Sequence, residues 1–161
     1  VEKQEEQIPL GITVKNFEKR YNQFVTDINK MDTGIRMAKL SITKFDKMNG
    51  NDAAQVFNAC PTENTCVIGT SETKSGELLS LSITATGDGT EASGFVALTH
   101  LIIGSSAAVP QVKKFNEMSS QILTLLKGEG EFTNSLNIHG YTLEFTRNNL
   151  VGNWLTVKKL P

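Results

Sequence analysis

The two cysteines are the residues whose type and spacing point most directly to chemistry. Cys60 and Cys66 are the only cysteines among 161 residues, and a polar turn of five residues separates them. Two strand ends joined by such a turn bring their Cβ atoms within reach of a disulfide. Stable disulfides belong to oxidising compartments. The pair therefore predicts a protein of the periplasm or the extracellular cell surface, and two free thiols in a cytosolic protein are the alternative.

The two histidines are the candidate bases for catalysis. His100 lies in a predicted helix beside Leu101 and Ile102, which favours a structural histidine at the edge of the core. His139 precedes Gly140 at a predicted hairpin tip, where exposed polar residues are common. Either ring could serve a small hydrolase or transferase if a carboxylate lined the same cleft. The sequence brings no carboxylate near either ring, so catalysis is an alternative hypothesis and not the first one.

A glycine-rich stretch at 87–94 joins a predicted strand to a predicted helix, where phosphate-binding loops lie. Two of its glycines have the spacing of a P-loop, but Phe95 and Val96 stand where that loop needs Lys and Ser or Thr. Asp88 would also repel a phosphate. The stretch therefore predicts a strand-to-helix turn that Asp88 or Thr90 caps, and both residues are kept as binding candidates.

Oxygen-bearing side chains cluster at 46–52, which has the composition of a calcium loop. Met48, however, stands where an EF-hand loop needs Asp or Asn, so a polar hairpin tip is the better interpretation. Zinc is not predicted, because neither histidine is near the cysteines in the sequence. We expect no metal and no cofactor.

Charge and hydropathy limit the classes of partner. The 16 Lys and Arg residues against 17 Asp and Glu residues leave a net charge of -1. Such a chain has no overall field to attract nucleic acid, so nucleic acid is not an expected partner. No apolar run approaches the roughly 20 residues that span a bilayer, so no transmembrane segment is predicted.

Two aromatic residues of the last predicted strands are further binding candidates. Trp154 is the single tryptophan, and Tyr141 and Phe145 lie on a neighbouring predicted strand. An aromatic residue there either packs in the core under the helices or anchors a binding surface. For Trp154 the core is the favoured interpretation and the anchor is the alternative.

The elements that position these residues follow from hydrophobic spacing. Apolar residues three and four apart predict an N-terminal helix that Thr13 caps. The same spacing predicts a central helical hairpin, with one helix from about Glu91 to Gly104 and a second that opens at Pro110 and ends at Gly128. Period-two alternation predicts strands, at about 38–42, 55–60, 66–70, 79–86, 132–138, 141–147 and 153–159.

These elements predict an α+β fold with an antiparallel sheet of about six or seven strands. Short turns between successive strands require the antiparallel arrangement, and the three helices, one N-terminal and two in the hairpin, pack on one face. Residues 12–161 form a single domain, and residues 1–11 form a flexible leader or tether. The two successive units of helix followed by strands suggest an ancient duplication.

The first functional hypothesis is an exported bacterial binding module. The sequence begins with Val1 and not Met, so we expect that a signal peptide, a lipoprotein leader or a tag was removed, and a lipid anchor upstream of Val1 is one form of attachment. No Asn-x-Ser/Thr sequon is present, which favours a bacterial source. We expect the open sheet face, or loops at its edge, to bind an unidentified protein or small molecule.

Two other functions are kept as alternatives. One is the hydrolase or transferase with a histidine base, although an enzyme is not favoured. The other is a carrier of an apolar small molecule, held in a pocket between the helices and the sheet. Such a carrier requires a cavity larger than ordinary packing defects.

Overall fold

The computed structural model describes residues 7–161 and shows the predicted α+β fold. Three helices pack on one face of a seven-stranded sheet, and every strand pair is antiparallel. The elements in chain order are α1 (Val14–Asn29), β1 (Asp46–Met48), β2 (Asn51–Thr62), β3 (Thr65–Glu72), β4 (Leu78–Ala85), α2 (Glu91–Ala108), α3 (Ser119–Leu125), β5 (Phe132–Ile138), β6 (Tyr141–Asn148) and β7 (Gly152–Lys159).

The strand order divides the sheet into a four-stranded half and a three-stranded half. It runs β1-β2-β3-β4-β7-β6-β5, so the last strand of each half lies at the centre. β4 and β7 meet there as an antiparallel pair, with Ile83 opposite Leu155. Each half thus begins with a helix, continues as a meander and ends in the middle of the sheet. This is the arrangement that a duplicated helix-and-meander unit would have.

Helix α1 begins at the predicted cap, where the Thr13 hydroxyl accepts a hydrogen bond from the Asn16 amide at 3.2 Å. A side chain at this position satisfies an amide that the helix cannot bond internally. Its buried face carries the predicted spacing of apolar residues. That face packs against α2, so α1 lies farther from the sheet than α2 does.

Helix α2 lies against the centre of the sheet, and all of its residues from His100 to Ala108 except Ile102 are buried. Small residues allow the close approach. A Cβ built on Gly104 would come within 2.6 Å of the Ile83 side chain, so glycine is needed at this contact. Helix α2 therefore continues past Gly104, the predicted end, because packing on β4 outweighs the helix propensity of one glycine.

The segment predicted as a first strand at 38–42 is not a strand. It belongs to an extended connection after α1 in which Met37, Leu40 and Ile42 are buried while Ala38 is exposed. Its backbone bonds to side chains of α1 and not to a neighbouring strand. The first strand is β1, which begins at Asp46. The prediction was wrong because alternating hydrophobic residues show only that one side of an extended segment is buried. They do not show whether its backbone bonds to a strand or to a helix.

Side-chain amides of α1 take the place of a strand partner for this connection. Asn22 donates to the Leu40 carbonyl at 2.8 Å and accepts from the Leu40 amide at 2.7 Å. Asn29 makes the same pair of bonds with Met37, at 2.9 and 2.8 Å. Seven residues of helix rise about 10.5 Å, and three residues of extended chain cover about 10 Å. The two amides therefore meet the connection in register.

The predicted start of the third helix at Pro110 is also wrong. Residues 109–118 form turns, and α3 begins only at Ser119. Arg20 of α1 reaches the junction between α2 and these turns, where it donates to the carbonyls of Ser106, Ala107, Val109 and Val112. These groups include carbonyls at the end of α2 that the helix leaves without an internal partner. The Arg20 guanidinium therefore stabilises the end of α2 and the turns that follow it. The presence of proline at position 110 does not predict this interaction.

The described chain is held to the domain before residue 12. Leu10 is buried and its amide donates to the Leu78 carbonyl, while the Leu78 amide donates to the Ile12 carbonyl. Residues 10 and 11 of the predicted leader thus lie against the start of β4. Residues 1–6 of that leader lie outside the described residues. Among residues 7–161, no helix has the length and apolar character needed to cross a membrane.

Candidate functional site

The face of the sheet opposite the helices, here called the open face, is rich in hydroxyl side chains. On the central and second-half strands, residues that alternate with the buried set are only partly buried or exposed. They are Cys66, Ile68 and Thr70 of β3, Ser80, Ser82 and Thr84 of β4, Trp154, Thr156 and Lys158 of β7, Thr142, Glu144 and Thr146 of β6, and Thr133, Ser135 and Asn137 of β5. Charge is sparse on this surface, which suits recognition by hydrogen bonds and aromatic contact.

Several hydroxyls of the open face bond to each other across strands. Thr70 and Ser80 lie 2.6 Å apart, and Thr133 and Thr146 lie 3.2 Å apart, measured between side-chain oxygens. Such pairs hold the side chains in fixed rotamers before any partner arrives. A surface whose side chains are already ordered loses less conformational entropy on binding.

Trp154 lies on the open face and not in the core under the helices, which corrects the favoured prediction. It is partly exposed and stands between Thr84 on β4 and Thr146 on β6. Its strand neighbours Leu155 and Val157 are fully buried and face the helices. A tryptophan that keeps part of its ring accessible on a polar surface is available as an anchor for a partner.

Cys60 and Cys66 form the predicted disulfide, with sulfur atoms 2.05 Å apart. The bond joins β2 to β3 at the turn between them, where the ladder shifts register between Ala59 and Thr62. Cys66 stands opposite Thr84, so the disulfide and Trp154 belong to the same row across the sheet. Cys60 is exposed, and solvent therefore reaches this bridge.

His100 is enclosed in the core and both of its ring nitrogens are hydrogen-bonded. Nδ1 lies 2.6 Å from the Tyr21 hydroxyl, and Nε2 lies 3.0 Å from the Cys66 carbonyl oxygen. A carbonyl can only accept, so Nε2 carries the proton and Nδ1 accepts from Tyr21. Burial lowers the pKa of His100 to about 4, an effect that the hydrogen bond to Cys66 partly opposes. Burial also raises the pKa of Tyr21. The neutral pair joins α1, α2 and β3.

The two histidines are not brought to a common cleft. His100 is inaccessible, while His139 lies in the two-residue turn between β5 and β6 with a φ of 53°. Its carbonyl accepts from Gln111, but its ring has no described partner among residues 7–161. Within that range, every buried side-chain nitrogen or oxygen has a hydrogen-bond partner. The geometry therefore gives neither ring a carboxylate and a substrate cavity together.

Asp88 and Thr90 bond within their own loop. The Thr90 hydroxyl donates to the Asp88 carboxylate at 2.6 Å and accepts from the Ser93 amide at 3.2 Å, which caps α2. The hydroxyls of Ser93 and Thr90 lower the pKa of Asp88 to about 2. The sequence stretch is thus the strand-to-helix turn that was predicted, and its polar atoms already have partners.

Tyr141 is buried, unlike Trp154, and its hydroxyl donates to the Leu10 carbonyl. Burial raises the pKa of this phenol. The residue holds the entering chain against β6. Its side chain does not belong to the open face, so only Trp154 of the two aromatic candidates is placed to meet a partner.

An apolar groove opens where the end of α1 meets the start of α2. Its volume is about 700 Å³, and its apolar lining includes Ile28, Met31, Ile35, Phe95 and Phe115. Met31 is 53% exposed and Phe95 is 49% exposed. The expected carrier pocket lay between helices and sheet, whereas this groove lies between two helices. Sequence reasoning did not identify it, although the apolar residues on all sides of α2 were a signal for a second covered face.

A second apolar feature not identified from sequence lies at the turn between β6 and β7. Leu150 is 94% exposed and Val151 is 70% exposed. Two consecutive apolar residues at a predicted turn were a visible signal. The start of β7 pairs with the end of β4, as Asn153 opposite Ala85 shows, so this tip lies at the same end of the sheet as the disulfide turn and the start of α2.

No cluster of three or more His, Cys, Asp or Glu side chains suited to a metal occurs among residues 7–161. Two surfaces of the described residues are candidate sites: the open face with Trp154, and the groove between α1 and α2. No protein-family model, no curated protein and no solved structure matches this chain.

Proposed function

We propose that this protein is an exported binding module that holds a protein partner on the open face, with Trp154 as the aromatic anchor. The observation that carries the proposal is the position of Trp154 on the surface that the helices leave uncovered. Tryptophan is among the residues that contribute most to protein interfaces, especially where surrounding contacts exclude water. The rows of threonine and serine around it supply such contacts.

The dimensions of the open face suit a protein partner. Six strand spacings of about 4.8 Å and strands of about eight residues give a footprint of roughly 750 Å². One partner in a standard interface contributes about 800 Å². A small molecule would leave most of this surface unused. The area is therefore large enough for a folded protein partner.

The disulfide supports an extracytoplasmic location. Because Cys60 is exposed, thiol reductants of the cytosol would reach the bond. Alkylation of the unreduced protein isolated from its own cells tests this part of the proposal. We expect neither cysteine to be labelled, and labelling of both would exclude an oxidising compartment.

The binding role is tested by site-specific photocrosslinking in the cells that make the protein. A benzoylphenylalanine at Thr146, beside Trp154, is compared with one at Gln23, which is exposed on α1. We expect a defined crosslinked species from position 146 alone. Trp154→Ala should weaken binding of the crosslinked protein about 30-fold, the effect of a 2 kcal/mol anchor. Equal crosslinking from both positions, or no effect of Trp154→Ala, would contradict the proposal.

The groove between α1 and α2 supports a second candidate function, binding of an uncharged apolar small molecule. Its volume falls in the range of about 300 to 1,000 Å³ that ligand pockets occupy. Among the described residues that line it, Glu91 alone is charged, which disfavours an anionic ligand such as a fatty acid. N-phenylnaphthylamine is a suitable fluorescent probe. Saturable enhancement that Phe95→Asp abolishes and Leu150→Asp, at an exposed residue outside the groove, preserves is the expected result, and no saturable binding would exclude this function.

A further inference from the structure

The two edges of the sheet differ in how they are protected. At one edge, β1 has only three residues, carries Asp46 and Lys47, and shifts register after Lys47. The part of β2 beyond β1 contains Pro61 and a second register shift. Short strands, charges, proline and bulges all prevent an edge from pairing with another chain.

The other edge has none of these features. β5 has seven residues, no charged side chain and no proline, and its register with β6 is continuous. It ends the sheet, and no described segment pairs with its outer side. A regular strand with an open row of backbone donors and acceptors is a template for another strand.

The hairpin between β5 and β6 determines which backbone groups point outward. Ile138 and Tyr141 flank a two-residue turn with positive φ at both positions, so they form a hydrogen-bonded pair. Pairs alternate along an antiparallel ladder. The amides and carbonyls of Thr133, Ser135 and Asn137 therefore point away from β6.

We propose that β5 pairs with β5 of a second copy of this chain, antiparallel and centred on Ser135. A twofold axis through that position places Ser135 opposite its own copy and Thr133 opposite Asn137, and six outward groups on each protomer find partners. The absence of charge on β5 means that this self-pairing brings no like charges together. The same register places Glu131 of one protomer opposite His139 of the other at both ends.

Helix α3 extends the contact beyond one strand. It packs over β5, and Asn134 holds its end by donating to the carbonyls of Leu125 and Lys127 at 2.9 Å each. The twofold axis leaves both α3 helices on the same side of the joined sheet. Leu123 of α3 is 45% exposed and supplies apolar surface there. The side chains of Thr133, Ser135 and Asn137 border the open face, but the pairing uses the backbone of β5 and not Trp154, so it does not depend on the proposed function.

Cysteine crosslinking tests the register. A residue opposite its own copy has Cα atoms about 5.5 Å apart, within the Cα range of a disulfide, whereas two copies of residue 133 would be about 15 Å apart. We expect Ser135→Cys to give a covalent dimer under mild oxidation and Thr133→Cys to give none. Peptide mapping confirms that the native bridge is intact. No dimer from Ser135→Cys, or equal dimer from both variants, would overturn the proposal.

Analytical ultracentrifugation of the full chain across a wide concentration range tests the assembly. We expect a concentration-dependent dimer whose dissociation constant rises about tenfold or more in Ser135→Lys, because two ammonium groups then face each other. Asn58→Lys, an exposed position of β2, is the matched control and should leave the constant unchanged. A chain that stays monomeric at all concentrations overturns the proposal. The β5 edge would then be open to pairing with a strand of a different protein.

Discussion

Two irregular connections follow the two long helices, and α1 bonds both of them in different ways. The connection after α1 is extended and pairs with Asn22 and Asn29. The end of α2 and the turn after it receive four hydrogen bonds from Arg20. At 100° per residue, the asparagines and Arg20 lie on roughly opposite sides of α1. One helix therefore stabilises backbone on both of its sides.

The difference follows from what each stretch of backbone presents. An extended residue offers both an amide and a carbonyl in one direction, and a carboxamide side chain, with one donor group and one acceptor, matches both. A helix end offers only carbonyls, and a guanidinium has donors only. Positive charge is also favoured at a helix carboxyl end. The type of side chain thus matches the hydrogen-bonding groups that the neighbouring backbone presents.

Of the variants considered, Arg20→Met should have the largest effect on the stability of the protein. It leaves up to four carbonyls with no charged donor, and we expect a loss of about 4 kcal/mol in the free energy of unfolding. Urea denaturation at neutral pH measures the loss. Lys19→Met, at an exposed neighbouring position, is the matched control. A loss in the free energy of unfolding below about 2 kcal/mol, the contribution of two ordinary hydrogen bonds, would show that water replaces the guanidinium.

His100 links the helix of one half to a strand of the other, and its effect depends on pH. Its pKa is about 4 in the folded chain, because burial disfavours the charged ring, and about 6.5 when unfolded. Between these values the unfolded chain binds a proton that the folded chain does not, so stability falls as pH drops from about 6.5 to 4. The total loss from this ring is about 3 kcal/mol.

The measurement compares urea denaturation at pH 7 and pH 4 for the parent chain and His100→Gln. The variant lacks the titrating ring, so the difference between its two free energies should be smaller by about 3 kcal/mol. His139→Gln is the control, because that ring is exposed. Equal pH dependence in His100→Gln and the parent would mean that water reaches the buried ring.

Much of the sheet was predictable because burial on one side imposes period two on the sequence. The helix caps at Thr13 and Thr90 and the turns with glycine at positive φ were also local signals. The segment at 38–42 failed because a helix face can replace a strand as the partner of an alternating segment. Helix starts and ends failed around Pro110 because Arg20, distant in sequence, stabilises the turns there.

The candidate site was predictable only in part. Trp154 lies on the same side of its strand as the polar Thr156 and on the opposite side from the apolar Leu155. This pattern in the sequence indicated that Trp154 lies on the open face. The contacts of His100 with Tyr21 and Cys66 join residues far apart in the sequence. Such contacts depend on how helices pack on a sheet, and no local pattern encodes them.

The smallest predicted effect tests the carboxamide side of the comparison. Asn22→Ala removes both bonds to Leu40, and we expect a loss of about 2 kcal/mol in the free energy of unfolding, since each bond contributes about 1 kcal/mol. Gln23→Ala, next along the helix and exposed, should change it by less than about 0.5 kcal/mol. Hydrogen exchange adds a local measurement at the Leu40 amide.

That amide should exchange faster in Asn22→Ala while the Met37 amide, held by Asn29, keeps its protection. The separation follows because each carboxamide bonds a single residue of the connection. If both amides lose protection together, the connection detaches as one unit, and its buried side chains rather than the individual amide pairs determine its stability. The contrast with Arg20, whose loss frees several carbonyls at once, would then disappear.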